Sequence, residues 1–509
     1  MAHWTTVGLP CGVIAPVRRK PFLVLGGTAI DLFLQRCLDA LANGSLYGSL
    51  ALALVVVYRA SGRLNLAQGE MATFGTYTSL VLASPASPLL AGTIFASRWL
   101  PGTPWPRWFA IPAAMLISAV LAALIERLIV RRIPERSARS SVSVTIGLLL
   151  LINALTKKLW RPIVRGYPSP FPNAPKDYVA VAGARLRFTT IATWLTMLSI
   201  MAAFYLVLRF TKAGLAFRAV SSNRANSSLH GIRVGRVLTG GWAFAAALGT
   251  LAGCLLASRL VLNPDMMARL LVYGFAAATI GGLTSLGGAL LGGLLVGLLQ
   301  TMLAGYVPLV GGPLSLPAVL LIMVIMLLTR PAGLFGTRGL DGAVTGDTLS
   351  IVSTTTPRGR IKVVRGSGTW RGLAIVTGIG LVALAIVPMF FLGFLEARTW
   401  TELIAVTVVL WGLGLVMGPA GQLSLGHGAF VGVGAYTMAV AVARYGASPL
   451  IGIAAAVVIG FVVGAVVGLP GLRIKGQYLA MVTIAWAVAF PMIIQRFDWF
   501  TGGDRKSVV

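Results

Sequence analysis

The chain has 509 residues, is 57% hydrophobic and only 11% charged, and has a mean hydropathy of +0.87. Soluble proteins carry roughly a quarter charged residues, so a soluble globular fold is excluded and an all-α, polytopic helical membrane protein is expected. The net charge of +29, from 42 Lys+Arg against 13 Asp+Glu, sits in short loops between apolar runs, which is the cytosolic bias of membrane proteins and not the footprint of a nucleic-acid binder.

Residues 1–34 form an N-terminal extension in which Arg18, Arg19 and Lys20 precede a modest apolar stretch interrupted by Asp31. No small-residue cleavage site follows, and no signal peptide is assigned. Membrane-spanning runs are then expected at about 35–58, 64–85, 106–130, 141–157, 188–209, 237–262, 271–283, 284–306 and 314–329. Basic clusters at Arg131, Arg132, Arg136 and Arg139, along Lys212 to Arg236, and at Arg330 and Arg338 fall on one side, which is taken as cytosolic. Lys157, Lys158, Arg161 and Arg165 then lie outside, beside a proline-rich stretch from Pro162 to Pro175.

Residues 337–371 are rich in Gly, Ser and Thr and read as a cytosolic linker. Beyond it an extra span is expected at about 372–394, followed by spans at about 400–417, 423–444, 448–470 and 477–494. The organisation expected is a first unit over 35–336, the linker, and a second unit over 372–509.

A passage occurs twice. GRLNLAQGEMATFGTYT at 62–78 aligns without a gap to GQLSLGHGAFVGVGAYT at 421–437, and seven of seventeen positions agree. Each copy follows one apolar run and opens another, as expected of two related membrane-embedded halves. The extra span returns the chain to the outside, so that the second copy threads the bilayer in the same direction as the first.

Within the repeat, Asn65 and Gln68 stand three apart, and Ser424 and His427 take the same places. That spacing puts each pair on one helix face. The neighbouring glycines, among them Gly69 and Gly428, allow a helix to begin or break there, and unwound backbone inside a bilayer needs protein or water to satisfy it. Two readings stand: the lining of a polar pathway between the halves, or a seam of close helix packing. Glu70 belongs to the same segment, but its counterpart is Ala429, so it is expected to be structural or near the interface. The glycine frames Gly288/Gly292 and Gly293/Gly297 signal close packing.

The stretch 211–236 is too polar to cross the membrane. Ala216, Ala219, Val220, Leu229 and Ile232 suggest short amphipathic helices ending at Gly231, of a kind that docks into a groove on a partner. No phosphate-binding loop, zinc-protease motif or nucleophile elbow is present, so the chain reads as no enzyme. Cys11, Cys37 and Cys254, with His3, His230 and His427, make neither a disulfide framework nor a metal site. No cofactor is expected.

Several strings together resemble the inner-membrane permeases of high-affinity branched-chain amino acid ABC importers, a LivH-type subunit fused to a LivM-type subunit. For the first these are SGRLNLAQGEMATFGTY (61–77), TKAGLAFRAVSSNRANSSLHGI (211–232), GGLTSLGGALLGG (281–293) and RPAGLFG (330–336). For the second they are GPAGQLSLGHGAFVGVGAYT (418–437), LPGLRIKGQYLAMVTIAWA (469–487) and FTGG (500–503). The resemblance implies a prokaryotic cell-membrane importer fed by an extracytoplasmic substrate-binding protein and driven by two separate ATP-binding cassette ATPase subunits.

It also implies that Gly214, Arg218, Ala219, Asn223 and Gly231 contact the ATPase; on the pathway reading of the repeat, Asn65, Gln68, Gly69, Glu70, Ser424, His427 and Gly428 are the candidate pathway residues. Leu215 and Ala216 depart from the family's usual small residue and Arg after Gly214. An equivalent of 211–236 in the second unit would fall beyond Val509, so that unit is expected to be incomplete. The terminal DRKSVV is read as translated sequencing adaptor, which a genomic stop codon directly after Val509 would refute. Urea and short-chain amide importers share these motifs and are the alternative substrate class; an ion-coupled secondary transporter would need ionisable residues in both halves.

Overall fold

A computed structural model describes residues 29–83, 105–132, 138–174, 176–181, 184–308, 310–311, 314–336, 379, 394–417, 422, 424–473 and 477–496. The linker at 337–371, nearly all of the extra span at 372–394, the FTGG string and the terminal DRKSVV lie outside the described residues.

The first unit contains α1 (Ala29–Ser61), α2 (Gln68–Ala83), α3 (Arg107–Leu128), α4 (Ala138–Trp160), α5 (Phe188–Phe210), α6 (Lys212–Ser222), α7 (Arg224–Leu229), α8 (Val234–Ala257), α9 (Met266–Gly281), α10 (Leu286–Tyr306) and α11 (Ser315–Thr329). The second contains α12 (Phe394–Met417), α13 (His427–Tyr445), α14 (Pro449–Arg473) and α15 (Gln477–Arg496). Among the described residues nine helices are long and apolar enough to cross a membrane. The chain is a multi-pass membrane protein. A small hairpin, β1 (Tyr178–Val181) with β2 (Ala184–Arg187), caps the loop between α4 and α5. The expected pair at 271–306 resolves into two separate helices, α9 and α10, joined by four residues.

Helix α1 forms the centre of the first unit. Leu46, Leu50, Leu52, Leu54 and Val57 are fully or almost fully buried, so it is apolar all round, as a helix surrounded by other helices must be. Its buried Ser45 and Ser49 donate their hydroxyls to the carbonyls of Ala42 and Leu46, which satisfies them without a neighbour.

The two glycine frames of α10 face different partners. Gly293 and Gly297 lie against Gly48 and Gly44 of α1; a Cβ on Gly297 would stand 2.5 Å from the Gly44 Cα. Gly288 and Gly292 lie instead against Gly281 and Ala277 of α9. Small residues let backbones approach and gain dispersion contacts where no hydrophobic drive exists. One helix thereby clamps two others.

The directions of the helices follow from these contacts. The inner ends of α1, α3 and α8 meet where Arg63 Nη1 donates to the Val130 carbonyl (3.2 Å) and Arg131 Nη2 to the Gly235 carbonyl (2.8 Å). Arg131 also grips the buried Glu126 through two nitrogens, at 2.8 and 3.2 Å, and Thr239 Oγ1 donates to the same carboxylate at 2.7 Å. Arg59, Arg63, Arg131, Arg224 and Arg236 gather on this face, which is cytosolic by the positive-inside rule.

In the second unit, Met481 near the start of α15 meets Thr279 near the inner end of α9, and Leu479 and Val482 pack on Leu327 near the inner end of α11. Helix α15 therefore runs outward, as its counterpart α4 does. Leu425 meets Thr483 and Gly432 meets Phe490, so α13 runs alongside α15 in the same direction. The halves are threaded in parallel.

Candidate translocation site and cytosolic docking face

The repeated passage breaks a helix at the same place in both copies. After α1 ends at Ser61, Gly62 turns the chain with φ 62° and residues 62–67 run without helix until α2 begins at Gln68. After α12 ends at Met417, α13 begins at His427, the residue aligned with Gln68. Asn65 shows why. Its Oδ1 accepts the Ala67 N–H (3.1 Å) and its Nδ2 donates to Gln68 Oε1 (3.3 Å), so the side chain satisfies backbone that the unwinding frees. Gln68 Nε2 then donates to the Ala245 carbonyl of α8 (2.6 Å).

Asn65 and Gln68 are 0% exposed and line no open space in this conformation. Gly69 is also buried, packed on Met267 and Leu271 of α9. In the second copy Ser424 and His427 are half-buried and Gly428 is exposed; the His427 imidazole lies against Gly412 of α12. Of the two readings of the first-copy pair, the packing seam describes its present geometry.

Glu70, in the first turn of α2, is buried but partnered. Asn153 Nδ2 donates to Glu70 Oε2 (3.0 Å) and to Asp265 Oδ1 (3.1 Å), and Lys157 Nζ pairs with Asp265 at 3.0 Å. One amide thus ties α2, α4 and the start of α9, with a lysine balancing the acids. The aligned position in the second copy is Ala429.

A feature not singled out from the sequence lies at the seam of the halves. A cavity of about 640 Å³ opens among α1, the outer end of α8, α9, α10, α11 and α15. Its walls combine Leu270, Leu316 and Met492 with Asn43, Gln300 and two arginines, Arg259 and Arg269. Tyr47 donates to Gln300 Oε1 (2.9 Å) and stacks on Tyr273 with centroids 4.6 Å apart. Burial lowers the pKa of the Arg259 guanidinium, with Asp39 and Tyr47 acting in the opposite sense. The lining comes from six helices of two units, each giving one or two polar residues, so no local string betrays it.

On the cytosolic face, α6 and α7 form the expected amphipathic pair. Thr211 caps α6 by accepting the Gly214 N–H (3.1 Å). Asn223 ends α6 and caps α7 by accepting the Asn226 N–H (3.0 Å). Gly231 follows with φ 78°. Phe217, Val220 and Ser221 face inward, and Arg59 Nη2 and Arg224 Nη2 tie the pair to the end of α1 through Ser221 and the Ala60 carbonyl.

Arg218, Asn223 and Gly231 are exposed and Ala219 is half-buried. Gly214 is buried, and a Cβ there would run into the Leu208 carbonyl. It lies at the tight α5–α6 corner. Leu215 (61% exposed) and Leu229 (84% exposed) are apolar groups this face presents.

Parallel units with matching helix breaks, a cavity between them and amphipathic helices on the cytosolic side define a membrane permease. The chain matches the family described as branched-chain amino acid transport system, permease component, twice, over residues 37–329 and 397–507. It belongs to that family, which is a family of transport permeases and not of enzymes.

The chain is 26% identical over 319 residues to the high-affinity branched-chain amino acid transport system permease protein LivH of Salmonella typhimurium, covering 60% of this chain and 96% of that protein. It is 24% identical over 306 residues to BraD of Pseudomonas aeruginosa, with the same coverage. A further stretch is 32% identical over 143 residues to LivM of Escherichia coli, covering 26% of this chain and 32% of that protein. The order is LivH-like, then LivM-like, in one chain. No solved structure matches it.

Proposed function

We propose that this chain is the membrane-spanning permease of an ABC importer for branched-chain and other hydrophobic amino acids, seated in the inner membrane of a prokaryote. Its two units, 35–336 and 372–509, are joined by the 337–371 linker and enclose the solute route. The observation that carries this reading is the helix break recurring at Gln68 and His427 in two parallel units that match one permease family. Helices broken at corresponding places in two repeats are the usual construction of a substrate path at a repeat interface.

In this reading two ATPase subunits dock on cytosolic elements such as the α6–α7 face, and an extracytoplasmic binding protein delivers substrate to the outer cavity. Ser424, His427 and Gly428 are the pathway candidates with access to space, while Asn65, Gln68 and Gly69 hold the broken helix in register. An outward-opening cavity with apolar walls and a few polar groups suits an aliphatic amino acid. The test is ATP-dependent uptake of radiolabelled leucine, isoleucine and valine by proteoliposomes holding the chain with its ATPases and binding protein. Uptake of urea or acetamide in place of these would overturn the substrate assignment.

A further inference from the structure

The cavity between the units carries more positive charge than its surroundings balance. Arg259 Nη1 is buried and has no hydrogen-bond partner, and no carboxylate lies within ion-pair distance of Arg259 or Arg269 among the described residues. Other cations of the first unit are disposed of differently. Arg131 is held by Glu126, Lys157 by Asp265, and Arg36 lies over the Tyr306 ring at 4.3 Å. Asp39 acts on Arg259 from beyond contact and already receives the Gln35 amide (3.2 Å). A buried guanidinium N–H without a partner is costly; Arg59 Nε and Arg165 Nε share that condition, but of the three arginines it is Arg259 that lines the cavity.

Both arginines line the same space, one from the turn just beyond the outer end of α8 and one from the first turn of α9. A planar guanidinium fits a carboxylate through paired N–H donors. The rest of the lining suits the remainder of a hydrophobic amino acid. Leu270, Leu316 and Met492 offer an apolar wall, and Asn43 and Gln300 carry amide oxygens that can accept from an ammonium group.

We propose that this outer cavity is a carboxylate-recognising receiving site, in which Arg259 and Arg269 take the α-carboxylate of the amino acid released by the binding protein. The proposal rests on the importer reading above and adds a location and a pair of specificity-determining residues to it. Because Met492 and Gln495 come from the second unit, the site exists only where the two units meet. Movement between the units would therefore make and unmake it, which is what alternating access requires.

The test uses proteoliposomes containing the full chain with its ATPases and binding protein, comparing wild type with Arg259→Gln, Arg259→Lys and Arg269→Gln. Leucine uptake and ATP hydrolysis are measured in the same vesicles. The expected result is a fall of about tenfold in leucine moved per ATP hydrolysed for Arg259→Gln. A smaller fall is expected for the more exposed Arg269→Gln, partial recovery for Arg259→Lys, and hydrolysis stimulated by loaded binding protein should be kept. Unchanged uptake per ATP in both Gln variants overturns the proposal. So does a parallel fall of uptake and hydrolysis, because that marks a structural defect. Failure of the wild-type complex to move leucine while moving another solute would instead defeat the importer reading on which the site rests.

Discussion

Gln68 and His427 are equivalent residues in two copies of one passage, and each is the first residue of a helix that restarts after a break. The two sites are not equally closed: Gln68 is wholly buried against α8, whereas His427 is half-buried beside α12. The break is thus a shared property of the repeat, and its exposure depends on what each unit packs around it.

This asymmetry predicts labelling. In a background with Cys11, Cys37 and Cys254 replaced, Asn65→Cys and Gln68→Cys should resist a membrane-impermeant thiol reagent in the resting complex. Arg269→Cys, facing the outer cavity, should react readily. Rapid modification at 65 or 68 without ATP would mean that the first copy lines an open path at rest.

Asn65 holds the unwound segment through two hydrogen bonds in a dry environment. Replacement by Ala leaves the Ala67 N–H and Gln68 Oε1 short of partners, at a cost of about 1–3 kcal/mol. A lowered melting temperature of the purified chain in detergent should follow. Ser424→Ala, at the half-exposed equivalent, should cost less than about 0.5 kcal/mol.

Buried Glu126 holds α3 to α8 through Arg131 and Thr239. Glu126→Ala frees the arginine, which can reach water, and removes the acceptor, so a loss of about 2–3 kcal/mol is expected. Protease cleavage in the cytosolic segment between α7 and α8 would report the loosening.

A Cβ on Gly293 would run into the Gly48 backbone, so Gly293 tolerates no side chain without separating α1 and α10. Gly293→Leu should destabilise the first unit by more than the roughly 1–3 kcal/mol of ordinary overpacking, because backbone stands in the way. Gly287→Ala, on the open side of the same helix, should be tolerated. Monodispersity of the two variants on size-exclusion chromatography separates the cases.

The exposed side of α6–α7 is marked by Arg218 and Leu229. Arg218→Glu combined with Leu229→Asp should abolish co-purification of the ATPases while membrane insertion persists. Asn223→Ala is a weaker probe of contact, since Asn223 caps both helices and its loss disturbs their shape.

Much was legible from residue order because the bilayer acts on local composition. Apolar length sets the spans, basic residues set the cytosolic face, the repeat gives two parallel units, and Gly231 follows the short helices of the polar 211–236 stretch. These are properties of short segments, and lipid imposes them wherever the segment lies. Partner choice is different in kind. That Gly293 meets Gly48 while Gly292 meets Ala277, that Gln68 spends its amide on Ala245, and that Gly214 turns inward were decided by packing between distant helices. The cavity with Arg259 and Arg269 is the clearest instance. Its charge, shape and apolar wall come from helices hundreds of residues apart, and a guanidinium lacks a partner only once every neighbour has taken its place.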